Sequence, residues 1–123
     1  MSILLCHHGN VASAPALDAA ISAVRVQGGP LLVLDCMEEG SEAGEHLWRR
    51  LETVDIPFEV VPLRVGQDPA SAVLETAAER GCALVVLALA QRGAGGATVG
   101  PQASRILLEC PVPVLTTTAP QEG

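Results

Sequence analysis

Five short apolar runs set the strongest limit on how this chain can fold. Ile3 to His7 begins as one, and Leu31 to Cys36, Phe58 to Leu63, Leu84 to Leu89 and Val112 to Thr117 repeat the type. Most of them lack the polar alternation of a strand with one wet face, so they predict strands covered on both faces, and such sheets are usually parallel with helical crossovers. The intervening segments supply the helices. Leu17, Ala20, Ile21 and Val24 recur at helical spacing, with Gly28 and Gly29 available for a left-handed stop. Leu47, Leu51 and Val54 share one face of a second helix whose start is rich in Glu, and Trp48 is expected to cover the edge between that helix and the sheet.

The third helix has the clearest boundaries: Asp68 can cap it, Pro69 fits its first position, Val73, Leu74, Ala77 and Ala78 are expected to face inward, and Gly81 stops it. The fourth starts near Pro101, is expected to bury Ala103, Ile106 and Leu107, and must end before Pro111. Pro113 then suits an edge strand, where a missing N–H is tolerated. Strand and helix in alternation predict an α/β fold, a doubly wound five-stranded parallel sheet of flavodoxin or Rossmann type with helices on both faces, because each parallel crossover is right-handed. The length of 123 residues fits one domain over residues 1–123.

Composition narrows the function. Hydrophobic residues make up 49% and aromatic residues 2%, so the core must be built from small aliphatic side chains. Seven basic residues against 14 acidic give a net charge of −7, and the arginines are scattered, which argues against nucleic acid as a partner. The longest apolar run, Ala83 to Ala90, is far shorter than the roughly 20 residues of a membrane-spanning helix, and no basic-then-apolar leader opens the chain, so no membrane partner is expected. Cys6, Cys36, Cys82 and Cys110 form no Cys-x-x-Cys pair, as reduced thiols of a cytoplasmic protein would not.

In a doubly wound sheet, ligands bind beyond the carboxyl ends of the strands where the winding reverses. That points to the loop after the first strand, His8-Gly9-Asn10, and the loop after the fourth, Gln91 to Gly100, which is rich in glycine and leads into a helix whose first turn has unpaired N–H groups. The loop contains neither the P-loop pattern nor the dinucleotide Gly-x-Gly-x-x-Gly pattern, and a surface loop that uses glycine for tight turns accounts for it equally well. Cys6 and His8 would share a face of the first strand, with Cys36 near, but the spacing fits no standard zinc pattern and no metal ligand set is assigned. Asp35 is the one acid expected near the cleft, where capping of strand-end N–H groups is its simplest role.

Taken in order, Ile3-Leu4-Leu5-Cys6-His7-His8-Gly9-Asn10, Gly66-Gln67-Asp68-Pro69, the glycine loop and Pro111-Val112-Pro113-Val114-Leu115 resemble the landmarks of the universal stress proteins. The resemblance runs over nearly the whole length. In the ATP-binding branch of that family the first strand ends in an aspartate that meets adenine, and a Gly-x2-Gly-x9-Gly-Ser/Thr loop surrounds ribose and phosphates. Here His8 stands where the aspartate would be, Ala90 replaces the first glycine, six residues rather than nine separate Gly93 from Gly100, and Pro101 replaces the hydroxyl residue. Only Gly93 and Gly100 carry over. Losing the hydroxyl removes a charge-assisted hydrogen bond worth roughly 1.5 to 3 kcal/mol, and proline deletes an N–H donor at the same point.

The resemblance thus implies a non-catalytic stress-response or signalling domain, with His8, Gly9, Gly93, Gly100 and Pro101 forming a degenerate nucleotide site. No cofactor is expected to be resident, ATP or AMP being the ligand classes to test. The family likeness also implies a homodimer through Val112, Val114 and Leu115 together with a protein partner of unknown identity. Two alternatives stay open: a regulatory switch that binds ATP or AMP through the altered loop, and a small Cys/His metal or redox protein.

Overall fold

A computed structural model describes residues 1–7, 13–35, 42–63, 66–89 and 101–118. Five strands and four helices alternate: β1 Ser2–His7, α1 Ser13–Gln27, β2 Leu31–Asp35, α2 Glu42–Thr53, β3 Phe58–Pro62, α3 Pro69–Glu79, β4 Cys82–Leu89, α4 Pro101–Glu109 and β5 Val114–Thr118. All four pairings are parallel, in the order β3-β2-β1-β4-β5. The chain therefore winds outward from β1 through β2 to β3, crosses back to β4 on the other side of β1, and continues to β5. The doubly wound sheet expected from the alternation is the one observed.

Two apolar layers account for the uninterrupted strand sequences. Ile3, Leu5, Leu31, Val33 and Val86 point to one face, against Ala16, Leu17, Ala20, Ile21 and Val24 of α1 and Leu47 and Leu51 of α2. Leu4, Cys6, Leu32, Leu34, Val85 and Leu87 point to the other, against Ala70, Ala72, Val73 and Ala77 of α3 and Ile106 of α4. Successive residues of β1 and β2 thus enter opposite layers, and polar side chains on these strands are confined to the ends, at Ser2, His7 and Asp35.

Helix faces depart from the expectation at three positions. On α3, Leu74 is only half-buried and Ala78 is exposed, while Ala70 and Ala72 are buried with Val73 and Ala77. On α4, Ile106 is buried and Ala103 half-buried, but Leu107 is 40% exposed. The two helices lie side by side, so each buries residues toward its neighbour as well as toward the sheet; on α3 this brings in Ala70 and Ala72 and leaves Ala78 on the outer side. The last strand also starts later than expected, at Val114, leaving Val112 and Pro113 as its lead-in. Trp48 does sit at the helix-sheet edge, 46% exposed and edge-on to Phe58 with ring centroids 6.3 Å apart.

Glycine stops both helices as expected. Gly28 follows α1 at φ +84° and donates its N–H to the Val24 carbonyl at 2.7 Å; Gly81 links α3 to β4 at φ +59°. A Cβ on Gly81 would meet nothing within 4 Å, so only its backbone conformation requires glycine. Gly81→Ala should therefore cost about 1 to 2 kcal/mol, read as a lower urea midpoint with an unchanged m-value.

Candidate functional site

The winding reverses between β1 and β4, whose carboxyl ends stop at His7 and Leu89. This is the position at which an open α/β sheet forms a ligand crevice. His7 is only 4% exposed and lies in register with Asp35 of β2, which in turn faces Pro62 of β3; Leu89 faces Thr118. His7 follows the alternation of Ile3 and Leu5 toward the α1 layer, whereas Cys6 packs in the α3–α4 layer, fully buried.

Of the sequence-derived site residues, His8, Gly9, Gly93 and Gly100 lie outside the described residues, as do Cys36 and Ala90. Pro101 is the first residue of α4. Its nitrogen carries no hydrogen, so that helix start offers one donor fewer than any other residue would give. Among the described residues no group of three His, Cys, Asp or Glu side chains is arranged to hold a metal ion. Cys6 is buried as an ordinary core thiol. Cys82 is a poor nucleophile at neutral pH: burial pushes its thiol up, the neighbouring Cys110 adds to this, and the Arg80 guanidinium opposes it.

The first turn and a half of α4 is anchored by side chains that sequence reasoning did not single out. Gln102 Oε1 accepts the Ala70 N–H at 3.0 Å. Arg105 donates to Asp68 Oδ2 at 2.8 Å, to Ser71 Oγ at 2.7 Å and to Glu109 Oε2 at 3.1 Å. Asp68 meanwhile caps α3, accepting from the Ser71 N–H at 3.2 Å and the Ser71 hydroxyl at 3.1 Å. The start of α4, directly after the glycine loop, is thereby tied to the start of α3. These contacts span 32 to 37 residues. The cap was legible in the Asp-Pro pair; the partners 34 and 37 residues away were not, because no local pattern encodes which helix lies beside which.

A match to a family model adds to this geometry. Residues 38–117 match the universal stress protein family. The chain belongs to that family. No curated protein matches it significantly in sequence. Solved structures agree on the fold: a universal stress protein from Archaeoglobus fulgidus shares 22% identity with a TM-score of 0.74, covering 95% of this chain and 98% of the other. A universal stress protein from Archaeoglobus fulgidus in complex with dAMP gives 18% identity and a TM-score of 0.68 over 95% and 97% of the two chains. A third universal stress protein, in complex with cAMP, gives 16% and 0.66 over 98% of both.

Partial burial at Asp68 works against its charge, but hydrogen bonds from Gln102 and Ser71 and the Arg105 cation outweigh it, holding the carboxyl below its ordinary value of 3.8. A carboxyl lowered on folding contributes stability above its unfolded pKa, and that contribution is lost as the pH falls through the folded value. Asp68→Asn keeps a cap acceptor and removes the charge. It should lower the urea midpoint at pH 7, and the gap to the parent should close as the pH is taken below 3.8. A gap that stays constant across that range would show that the charge does not matter.

Proposed function

We propose that this universal stress protein domain is a non-catalytic stress-response or signalling module of the cytoplasm, acting as a homodimer, in which triphosphate binding is weakened or lost. The observation that carries the reading is the commitment of α4. A triphosphate at the β1–β4 crevice would need donors from the helix that follows the glycine loop. There, Pro101 supplies no N–H, Gln102 accepts from α3, and Arg105 is held by Asp68, Ser71 and Glu109. Recruiting Arg105 to phosphate would break the contacts that join the two helices. The departures of His8 and of the shortened Gly93 to Gly100 loop from the ATP-binding pattern act in the same direction.

Calorimetric titration tests this. MgATP should bind with a dissociation constant no tighter than about 100 μM, and low-micromolar binding would overturn the reading. A second reading, an adenine monophosphate switch, is favoured by the dAMP and cAMP complexes of two structural relatives, since a monophosphate needs fewer donors than a triphosphate. AMP that binds at low micromolar concentration while ATP does not would select it.

The homodimer reading rests on the β5 edge. Leu115 is 42% exposed on one face of that strand, Val114 is half-buried on the other, and Leu108 of the adjoining α4 is 85% exposed. An apolar edge of this kind is normally covered. Sedimentation should give a dimer at tens of micromolar, and Leu115→Lys, at a site open enough to keep the fold, should shift it toward monomer. An unchanged mass in that variant would exclude the β5 edge as the interface.

A further inference from the structure

The opposite edge of the sheet, β3, has features that neither the family assignment nor the β5 interface explains. Leu31 donates its N–H to the Pro57 carbonyl at 2.9 Å, and Leu31 to Asp35 pair in register with Phe58 to Pro62. In a parallel ladder the residues that bond a neighbour alternate. Glu59 and Val61 therefore use their backbone toward β2, while Phe58 and Val60 turn their N–H and carbonyl groups outward. Among the described residues no strand lies beyond them.

Two different surfaces flank this edge. On the α2 side Trp48 and Phe58 stack edge-on, and they are the only Trp and the only Phe of a chain with no Tyr. Half-exposed aromatic rings are the side chains most enriched in binding surfaces. On the α3 side a groove of about 180 Å³ runs beside β3, floored by Leu34, Val61 and Pro62. Its far wall is α3, which packs toward β4 and β1, so among the described residues no helix lies over this part of the sheet. Glu75 and Glu79, one helical turn apart, face the groove, and Glu75 is bonded only to the neutral amide of Gln67 among the described residues. Arg80 also borders it, but its charge is met by both oxygens of Glu59 at 2.9 Å.

We infer that the β3 edge is a docking site for an extended basic segment of a partner protein, added as a sixth strand outside Phe58 and Val60. Successive side chains of such a strand point to opposite faces. One set would enter the Glu75–Glu79 groove and requires Lys or Arg; the alternate set would lie on the Trp48–Phe58 shelf and requires apolar groups. Backbone bonds to the outward groups of Phe58 and Val60 supply the common part of the affinity, as in strand addition elsewhere. Charge selects against a second copy as the occupant, since it brings a net charge of −7 to the same carboxylates. Pro62, with no N–H to offer, limits the paired stretch to its first residues.

The intact protein can be titrated with an acetylated, amidated hexapeptide of alternating Lys and Val, with the fluorescence of the sole Trp48 as the signal. Saturable binding that weakens with salt is expected. The same peptide with Glu in place of Lys should bind at least tenfold more weakly. The double variant Glu75→Gln, Glu79→Gln should lose about three- to tenfold, the scale of two exposed ion pairs. N-methylating either alternate set of peptide amides leaves the protein untouched; one of the two methylated peptides should lose binding and the other keep it. Equal binding by Lys and Glu peptides, or by both methylated forms and the parent, would overturn the proposal. Concentration-dependent change of Trp48 emission without peptide would place a second copy on this edge and overturn it as well.

Discussion

Every strand of this sheet is parallel to its neighbours, and such a sheet cannot leave a face to water without exposing the apolar residues that its inner strands carry on both faces. The central strand, β1, is the most tightly bound by this condition. Ile3 and Leu5 fill the layer under α1 and α2 while Leu4 and Cys6 fill the layer under α3 and α4. Because each crossover must be right-handed, helices can reach both layers only if the chain reverses its direction of winding once. That reversal, between β1 and β4, marks the position at which a sheet of this type opens a crevice at the carboxyl ends of its strands. The site location is thus a consequence of core burial.

The same condition explains why the fold was legible in the sequence and much of the site was not. Apolar runs without alternation report double-sided burial directly, and Asp68, Pro69 and Gly81 mark one helix by chemistry that acts within a few residues. Leu107 and Ala78 lie outside the buried faces because helical spacing alone does not say on which side of a helix its neighbouring helix lies. The Gln102 and Arg105 contacts depend on that same adjacency. The sequence places His7 only at the end of the first apolar run, yet the structure buries it at the end of β1, in register with Asp35.

Linking α4 to α3 through Asp68 has a price for ligand chemistry. A helix start that follows a glycine loop is well suited to an anion when its donors and nearby cations are unoccupied. Among the described residues, the cation nearest that start, Arg105, is shared among two carboxylates and a hydroxyl, in a layer where Ile106 and Ala103 lie against the sheet. The arrangement favours a fixed α3–α4 pair over an adaptable phosphate site, and it does so with exposed groups whose bonding is mutual: Arg105 orients Asp68, and Asp68 holds the first turn of α3.

The two edges of the sheet differ in what guards them against unwanted pairing. An open strand edge invites any other edge to pair with it, and the usual safeguards are proline, charge and short length. At β3 all three occur: five residues, Pro62 at the end, and the Glu59–Arg80 pair lying across the start. At β5, proline precedes the strand, Leu115 is exposed on one face and Val114 is half-buried on the other. An edge guarded by charge accepts only a strand that answers the charge, whereas an apolar edge accepts a copy of itself. The chain's net charge of −7 reinforces that division, since like-charged copies gain nothing electrostatically at β3 and can associate only where apolar area outweighs their repulsion.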